Sequence, residues 1–183
     1  MRINKMNKDD SLLVLIDFQE RLMPAMIDRG NLEENTIKLV KGCKVLEVPQ
    51  LVTQQYTKGL GPTVSDIDEA LGEYEYIEKT SFSSMGEQAF VDALEKTGRK
   101  TVILAGIESH VCVQQTALDL LEKGYGVFLV VDCVSSRSSY DKKYALKRMA
   151  NAGVTNTTCE AVLFELCKGS REPGFKEISS LVK

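Results

Sequence analysis

Three side chains of this sequence, a carboxylate, an ammonium and a thiol, could together perform nucleophilic catalysis. They are Asp17, Lys79 and Cys112, and each lies just beyond a segment predicted to be a strand. In a parallel sheet the carboxyl ends of the strands meet at one edge, where ligands bind. There the carboxylate could take the thiol proton, and the ammonium could stabilise the thiolate and a charged intermediate. The positions therefore predict a cysteine nucleophile with a carboxylate base.

The segment around Cys112 is typical of a buried strand that turns into a helix. Thr101–Ala105 is apolar and β-branched, Gly106 ends the run, and Ser109 is the predicted N-cap. Cys112 then falls in the first helical turn, near unpaired N–H groups and the positive end of the helix dipole. Both favour thiolate, which predicts a reactive cysteine, whereas a cysteine taken alone is more often inert core filler.

The single histidine and the remaining cysteines limit the kinds of catalytic site that the chain could form. His110 is the single histidine, and on a helix it would point about 200° away from Cys112. We therefore expect a wall or surface residue and not a catalytic base. Five cysteines without a C-x-x-C pair favour reduced thiols over a disulfide framework or a zinc site.

Strands and helices alternate along the whole chain. The predicted strands are residues 11–17, 49–54, 73–78, 101–105, 127–131 and 154–157. This order predicts a three-layer α/β/α fold of the Rossmann-like type, with a mostly parallel six-stranded sheet in one domain over residues 1–183. Ser84 with Glu87 fits a capping box, and Gln55–Ser65 reads as a loop that could form a lid or a substrate wall.

Charge and composition exclude several classes of partner. The net charge of −3 gives no basic field for nucleic acid or for an anionic membrane surface. The polar N-terminus does not resemble a signal peptide, and no apolar run approaches the length of a membrane span. We expect a cytoplasmic protein that acts on a small molecule.

Three short segments resemble a known family. LVLIDFQ, EKTSFS and AGIESHVCV are similar, in order, to the signature segments of the isochorismatase-like cysteine hydrolases, which include nicotinamidases and carbamoyl-amide hydrolases. The resemblance runs from about Leu12 to Leu166. It implies that Asp17 is the general base, Lys79 the electrostatic partner and Cys112 the nucleophile.

The same resemblance implies a special backbone before the cysteine. It places a cis peptide between Ile107 and Glu108, and an oxyanion hole made from the backbone N–H groups of Glu108 and Cys112. It also implies a homo-oligomer, a dimer or larger, because family members commonly assemble.

Two departures from the family pattern narrow the substrate. Nicotinamidase-like members bind a metal through an Asp-x-His pattern where this chain has Thr53-Gln54-Gln55-Tyr56, so we expect no metal and no cofactor. Members that cleave isochorismate tend to carry glycine at the position of Cys112. The chain is most similar to the isochorismatase-domain subgroup, for which the resemblance implies no settled substrate.

The leading hypothesis is a metal-independent hydrolase that cleaves a small amide-like C–N bond through a thioester. The candidate substrate-binding residues are Gln55 and three aromatic residues that could form an apolar wall or could equally be core: Phe18, Tyr56 and Phe82.

Two alternatives remain open. The first is a thiol redox enzyme in which Cys133 or Cys159 resolves Cys112. The second is a non-catalytic member of the fold that binds a metabolite or serves assembly.

Overall fold

A computed structural model describes residues 5–183 and confirms the alternating α/β architecture. The strands are β1 (Ser11–Ile16), β2 (Gln50–Gln55), β3 (Tyr76–Lys79), β4 (Thr101–Ile107), β5 (Gly126–Ser135) and β6 (Thr155–Thr157). The α-helices are α1 (Arg29–Val45), α2 (Thr57–Leu60), α3 (Ser65–Leu71), α4 (Gln88–Lys96), α5 (Gln114–Glu122), α6 (Ser139–Ala152), α7 (Cys159–Cys167) and α8 (Phe175–Leu181). Within the described residues, no helix is both long and apolar enough to cross a membrane.

The six strands form one parallel sheet in the order β3-β2-β1-β4-β5-β6. The chain winds outward from β1 in one direction and then restarts at β4 in the other. The gap between the carboxyl ends of β1 and β4 is therefore the switch point where an open α/β sheet binds its ligand. Asp17 follows one of these strands and Cys112 follows the other.

Alternating side chains of the strands supply two apolar cores, one on each face of the sheet. In β1, Leu13 and Leu15 pack in the core beneath α1, α7 and α8, whereas Leu12, Val14 and Ile16 pack in the core beneath α4, α5 and α6. All six residues of β1 are buried. The continuous aliphatic run is what a strand covered on both faces requires.

Two local predictions were wrong. Strand β5 does not end before Asp132 but continues to Ser135, because a register shift against Leu104 and Gly106 accommodates extra residues. The Ser84–Glu87 capping box is also absent. The carboxylate of Glu87 instead accepts hydrogen bonds from the backbone N–H groups of residues 80 and 81.

The Gln55–Ser65 segment is tied to the chain that follows β1. Gln19 donates from Nε2 to the carbonyl oxygens of Gln55 (2.9 Å) and Gly61 (2.7 Å). The backbone N–H of Glu20 donates to the carbonyl of Pro62 at 3.0 Å. The segment therefore forms a hydrogen-bonded wall beside the sheet edge, with α2 inside it.

Candidate active site

The structure brings Asp17, Lys79 and Cys112 together at the carboxyl edge of the sheet. Asp17 follows β1 with a left-handed backbone (φ 56°), and Lys79 is the last residue of β3. Cys112 lies in a single π-helical turn, Ser109–Val113, that leads from β4 into α5. Left-handed backbone is uncommon outside glycine, although aspartate tolerates it better than most residues.

Asp17 and Lys79 form a buried ion pair. Lys79 Nζ lies 2.8 Å from Asp17 Oδ2, and neither side chain is exposed to solvent. The ammonium also donates to Gln55 Oε1 (2.5 Å) and to the carbonyl oxygens of Ser81 (3.2 Å) and Phe82 (3.1 Å). Burial of a charge is tolerated when it is paired and hydrogen-bonded, and these four oxygens satisfy that condition.

The Asp17 carboxylate is buried and held in place by hydrogen bonding. Its Oδ1 accepts a hydrogen bond from Thr53 Oγ1 at 2.8 Å, which fixes the carboxylate plane. Burial raises the pKa of the Asp17 carboxyl above its ordinary value, and the Lys79 ammonium opposes that rise. A carboxylate with a raised pKa binds a proton more readily than an exposed one.

Cys112 interacts electrostatically with both members of the ion pair. Burial and the negative charge of Asp17 raise the pKa of its thiol to about 12, although Lys79 opposes the shift. The helix N-terminus favours the thiolate, but desolvation acts in the opposite direction and is the largest influence on this thiol. At 7% exposure Cys112 is the most accessible member of the trio.

Two hydrogen-bond links between the Lys79 loop and α5 hold the trio in register. Thr116 donates from Oγ1 to the carbonyl of Cys112 (2.7 Å) and accepts from the backbone N–H of Ser84 (2.9 Å). Ser83 Oγ donates to Asp119 Oδ2 at 2.6 Å. The sequence analysis missed these positioning residues; the only signal was a threonine four residues after the cysteine.

The backbone before Cys112 has the expected unusual bond. The peptide between Ile107 and Glu108 is cis. Glu108, not Ser109, precedes the first helical residue, and its carbonyl accepts from the N–H of Val113 at 3.3 Å, which produces the π-helical turn. Ser109 is buried inside that turn, so its predicted N-cap role was wrong.

His110 lies beside this turn among polar groups. Its Nδ1 is 3.0 Å from Ser136 Oγ, and each ring nitrogen is 4.0 Å from a carboxylate, that of Glu108 or of Asp141. Arg137 Nε donates to the same Glu108 carboxylate at 3.0 Å. The ring is partly exposed, as expected for a wall residue.

The predicted substrate-binding residues separate into two groups. Phe18, at 2% exposure, packs in the core and does not line a cleft, because it faces the α1 layer. Tyr56 and Phe82 are 54% and 55% exposed, and the backbone of each hydrogen-bonds Lys79. Gln55 contacts Lys79 directly.

The remaining cysteines lie away from Cys112. All five cysteines are buried and free. Cys133 and Cys159 lie in the same apolar core, on the opposite face of the sheet from Cys112. Neither is placed to resolve Cys112, which argues against the redox hypothesis.

The residues at the position of the nicotinamidase metal ligands do not fit a metal ion. Thr53, Gln54 and Gln55 offer hydroxyl and amide groups that already bond within the protein. In the described part of the chain, no group of three or more histidine, cysteine, aspartate or glutamate residues could hold a metal.

Comparison with known proteins supplies the family. The family model described as Isochorismatase domain matches residues 11–161. Isochorismatase domain-containing protein 2 of Danio rerio is 40% identical over 98% of this chain and 90% of its own length.

Two solved structures are similar over nearly the whole chain. The MAR1 ribonuclease of Caenorhabditis elegans is 42% identical with a TM-score of 0.91, covering 97% of this chain and 92% of that one. The YcaC gene product of Escherichia coli, described as an octameric hydrolase of unknown specificity, is 27% identical with a TM-score of 0.93, covering 99% and 92%.

Proposed function

The chain belongs to the isochorismatase domain family, and we propose that within it this protein is a metal-independent cysteine hydrolase of small amides. The observation that carries the proposal is the buried Asp17–Lys79 pair with the thiol of Cys112 beside it. The trio supplies a nucleophile, a base and a fixed positive charge in one place.

The first half of the proposed reaction makes a thioester. Asp17 takes the proton of the Cys112 thiol as the sulfur attacks the amide carbon. Burial raises the pKa of the free thiol, so we propose that proton transfer to Asp17 accompanies the attack. The backbone N–H groups of Glu108 and Cys112 would hold the negative oxygen of the tetrahedral intermediate, and a donor of this kind contributes about 3–4 kcal/mol.

The second half releases the product. The protonated Asp17 returns its proton to the leaving nitrogen, so ammonia or an amine departs and the C–N bond breaks. Water then attacks the thioester carbon with Asp17 again as base, which frees the carboxylic acid and restores the thiol. Lys79 keeps its proton throughout and balances the charge that moves between oxygen and sulfur.

A screen for ammonia release tests the proposal. Primary amides and carbamoyl compounds are incubated with the protein and with a Cys112→Ala variant. Cys167→Ala, which removes a buried thiol from the other core, is the matched control. We expect turnover of at least one compound that Cys112→Ala abolishes and Cys167→Ala retains. Turnover that survives Cys112→Ala would refute the nucleophile, and its absence across the panel would favour a binding role.

The Caenorhabditis elegans relative raises a second candidate, ribonuclease activity. The net charge of −3 argues against it, because phosphate backbones are bound by basic surfaces. The same variants decide the matter when incubated with labelled RNA. Cleavage that disappears in Cys112→Ala would make RNA the substrate.

We further propose that the protein forms a homo-oligomer. The support is the octameric relative and the two exposed aromatic residues near the sheet edge, Tyr56 and Phe82. Light scattering coupled to size-exclusion chromatography would give the mass, and a monomer at micromolar concentration would refute the proposal.

A further inference from the structure

Gln55 accepts a hydrogen bond from the Lys79 ammonium of the ion pair. It is the last residue of β2, directly opposite Lys79 in the register of β2 and β3. Because β2 lies between β3 and β1, the Lys79 side chain must cross one whole strand, about 5 Å wide on each side, to reach Asp17. Gln55 Oε1 accepts a hydrogen bond from Lys79 Nζ at 2.5 Å.

The Gln55 amide is itself held in orientation. Its Nε2 donates to the carbonyl of Thr80 at 2.9 Å, so the opposite end of the amide, Oε1, must face Lys79. Its backbone N–H donates to Oε1 of the fully buried Gln19 at 2.7 Å. Both polar ends of the side chain are therefore used within the protein, which leaves Gln55 poorly suited to the substrate contact that the sequence indicated.

We propose that Gln55 is a positioning residue that draws the Lys79 ammonium across β2 to Asp17 and Cys112. The other neutral acceptors of Lys79 are the carbonyls of Ser81 and Phe82, which belong to its own loop. Without Gln55 these carbonyls pull the ammonium back toward β3, away from the carboxylate and the sulfur. The importance of this for turnover rests on the proposed hydrolase function.

The rate of Cys112 alkylation depends on the position of Lys79 and can be measured without a substrate. Lys79 favours the thiolate, and only thiolate reacts with iodoacetamide. At pH 9, below the thiol pKa, a change of one pKa unit changes the thiolate fraction tenfold. We expect Gln55→Met to slow alkylation of Cys112, followed by mass spectrometry of its peptide, by about tenfold.

Gln54→Met is the matched control. Gln54 is the preceding residue of the same strand and is more buried, but its amide contacts Thr63 and Thr57 instead of Lys79. Its alkylation rate should stay within about twofold of the wild type. Wild-type rates in folded Gln55→Met, or equal slowing in both variants, would overturn the proposal.

A shorter side chain separates positioning from folding. Gln55→Asn keeps the amide, but its oxygen falls short of Lys79, so a similar slowing is expected. If both Gln55 variants unfold by circular dichroism while Gln54→Met folds, Gln55 is a structural residue and the proposal fails. The hydrolase proposal is tested separately, by the measurement of ammonia release.

Discussion

The buried ion pair between Asp17 and Lys79 makes a strong prediction about stability. Lys79→Met removes the charge with little change in length, and Asp17→Asn removes the opposite charge while keeping an acceptor for Thr53. Either change leaves an unpaired charge out of water. Breaking a buried pair in this way costs about 3–5 kcal/mol, which for a chain of this size lowers Tm by roughly 10 °C.

The double variant should recover most of that loss. With both charges removed, no unpaired ion remains, and replacing a buried pair by neutral groups is often nearly neutral in energy. We therefore expect Asp17→Asn/Lys79→Met to be more stable than either single variant, with a coupling energy of about 2 kcal/mol or more.

Acidification supplies an independent check on Lys79→Met. Without the ammonium, only the weaker effects of Thr53 and Cys112 oppose burial, so the pKa of Asp17 lies further above the value in the unfolded chain than in the wild type. A raised pKa contributes stability at low pH that is lost as pH rises through the folded value. The deficit of Lys79→Met relative to wild type should therefore be smaller at pH 5 than at pH 8.

Urea unfolding followed by circular dichroism measures all four proteins. Single-variant losses that simply add in the double variant would refute the reasoning, because uncoupled residues cannot form a buried ion pair. A Lys79→Met variant within 1 kcal/mol of wild type at pH 8 would refute it as well.

Further predictions concern single residues. Alkylation of wild-type Cys112 by iodoacetamide should be slower at pH 8 than alkylation of an exposed thiol. Because the pKa of the Cys112 thiol is about 12, the rate should rise about tenfold per pH unit up to pH 10. A rate that no longer increases above pH 8 would contradict this prediction. Hydrogen bonds from Ser81 and Thr80 lower the pKa of Glu87 to about 2, so its stabilisation is present above pH 4.5 and is lost as pH falls toward 2. The stability gap to Glu87→Gln in urea unfolding should accordingly be wider at pH 6 than at pH 3. Gly106→Ala should prevent soluble expression, because the added Cβ would lie 2.6 Å from a main-chain oxygen of β1. Gly30→Ala is the matched control: its Cβ would meet no atom within 4 Å in α1, so this variant should stabilise the protein by about 0.4–1 kcal/mol.

The position of Asp17 and Cys112 at one edge of the sheet could be predicted from the sequence, because the strands before them have unambiguous sequence patterns. The aliphatic run before Asp17 and the β-branched run before Cys112 each determine a buried strand by composition alone. Parallel connection then places their carboxyl ends together whatever the intervening helices contain. The contact between Asp17 and Lys79 follows from topology, not from any local pattern.

The energetics of the site could not be predicted in the same way. A helix N-terminus lowers the pKa of a thiol, but the sequence does not state how much water remains around Cys112. In the folded protein, burial raises the pKa of this thiol instead. The contact of Lys79 with Gln55 was equally unpredictable, because Gln55 is 24 residues away and its side-chain orientation depends on Thr80. The role of Glu87 was predicted wrongly because a glutamate in a capping box and a glutamate that accepts hydrogen bonds from a preceding loop occur in similar sequences.

The central position of β1 has a consequence for synthesis of the chain. Its partner on one side, β2, follows within about 40 residues, but its partner on the other side, β4, begins only at Thr101. During translation the aliphatic edge of β1 stays unpaired until more than half the protein has left the ribosome, and open apolar edges invite association with other chains. The strand that leads to Asp17 is thus the one that most needs protection by chaperones in a nascent chain.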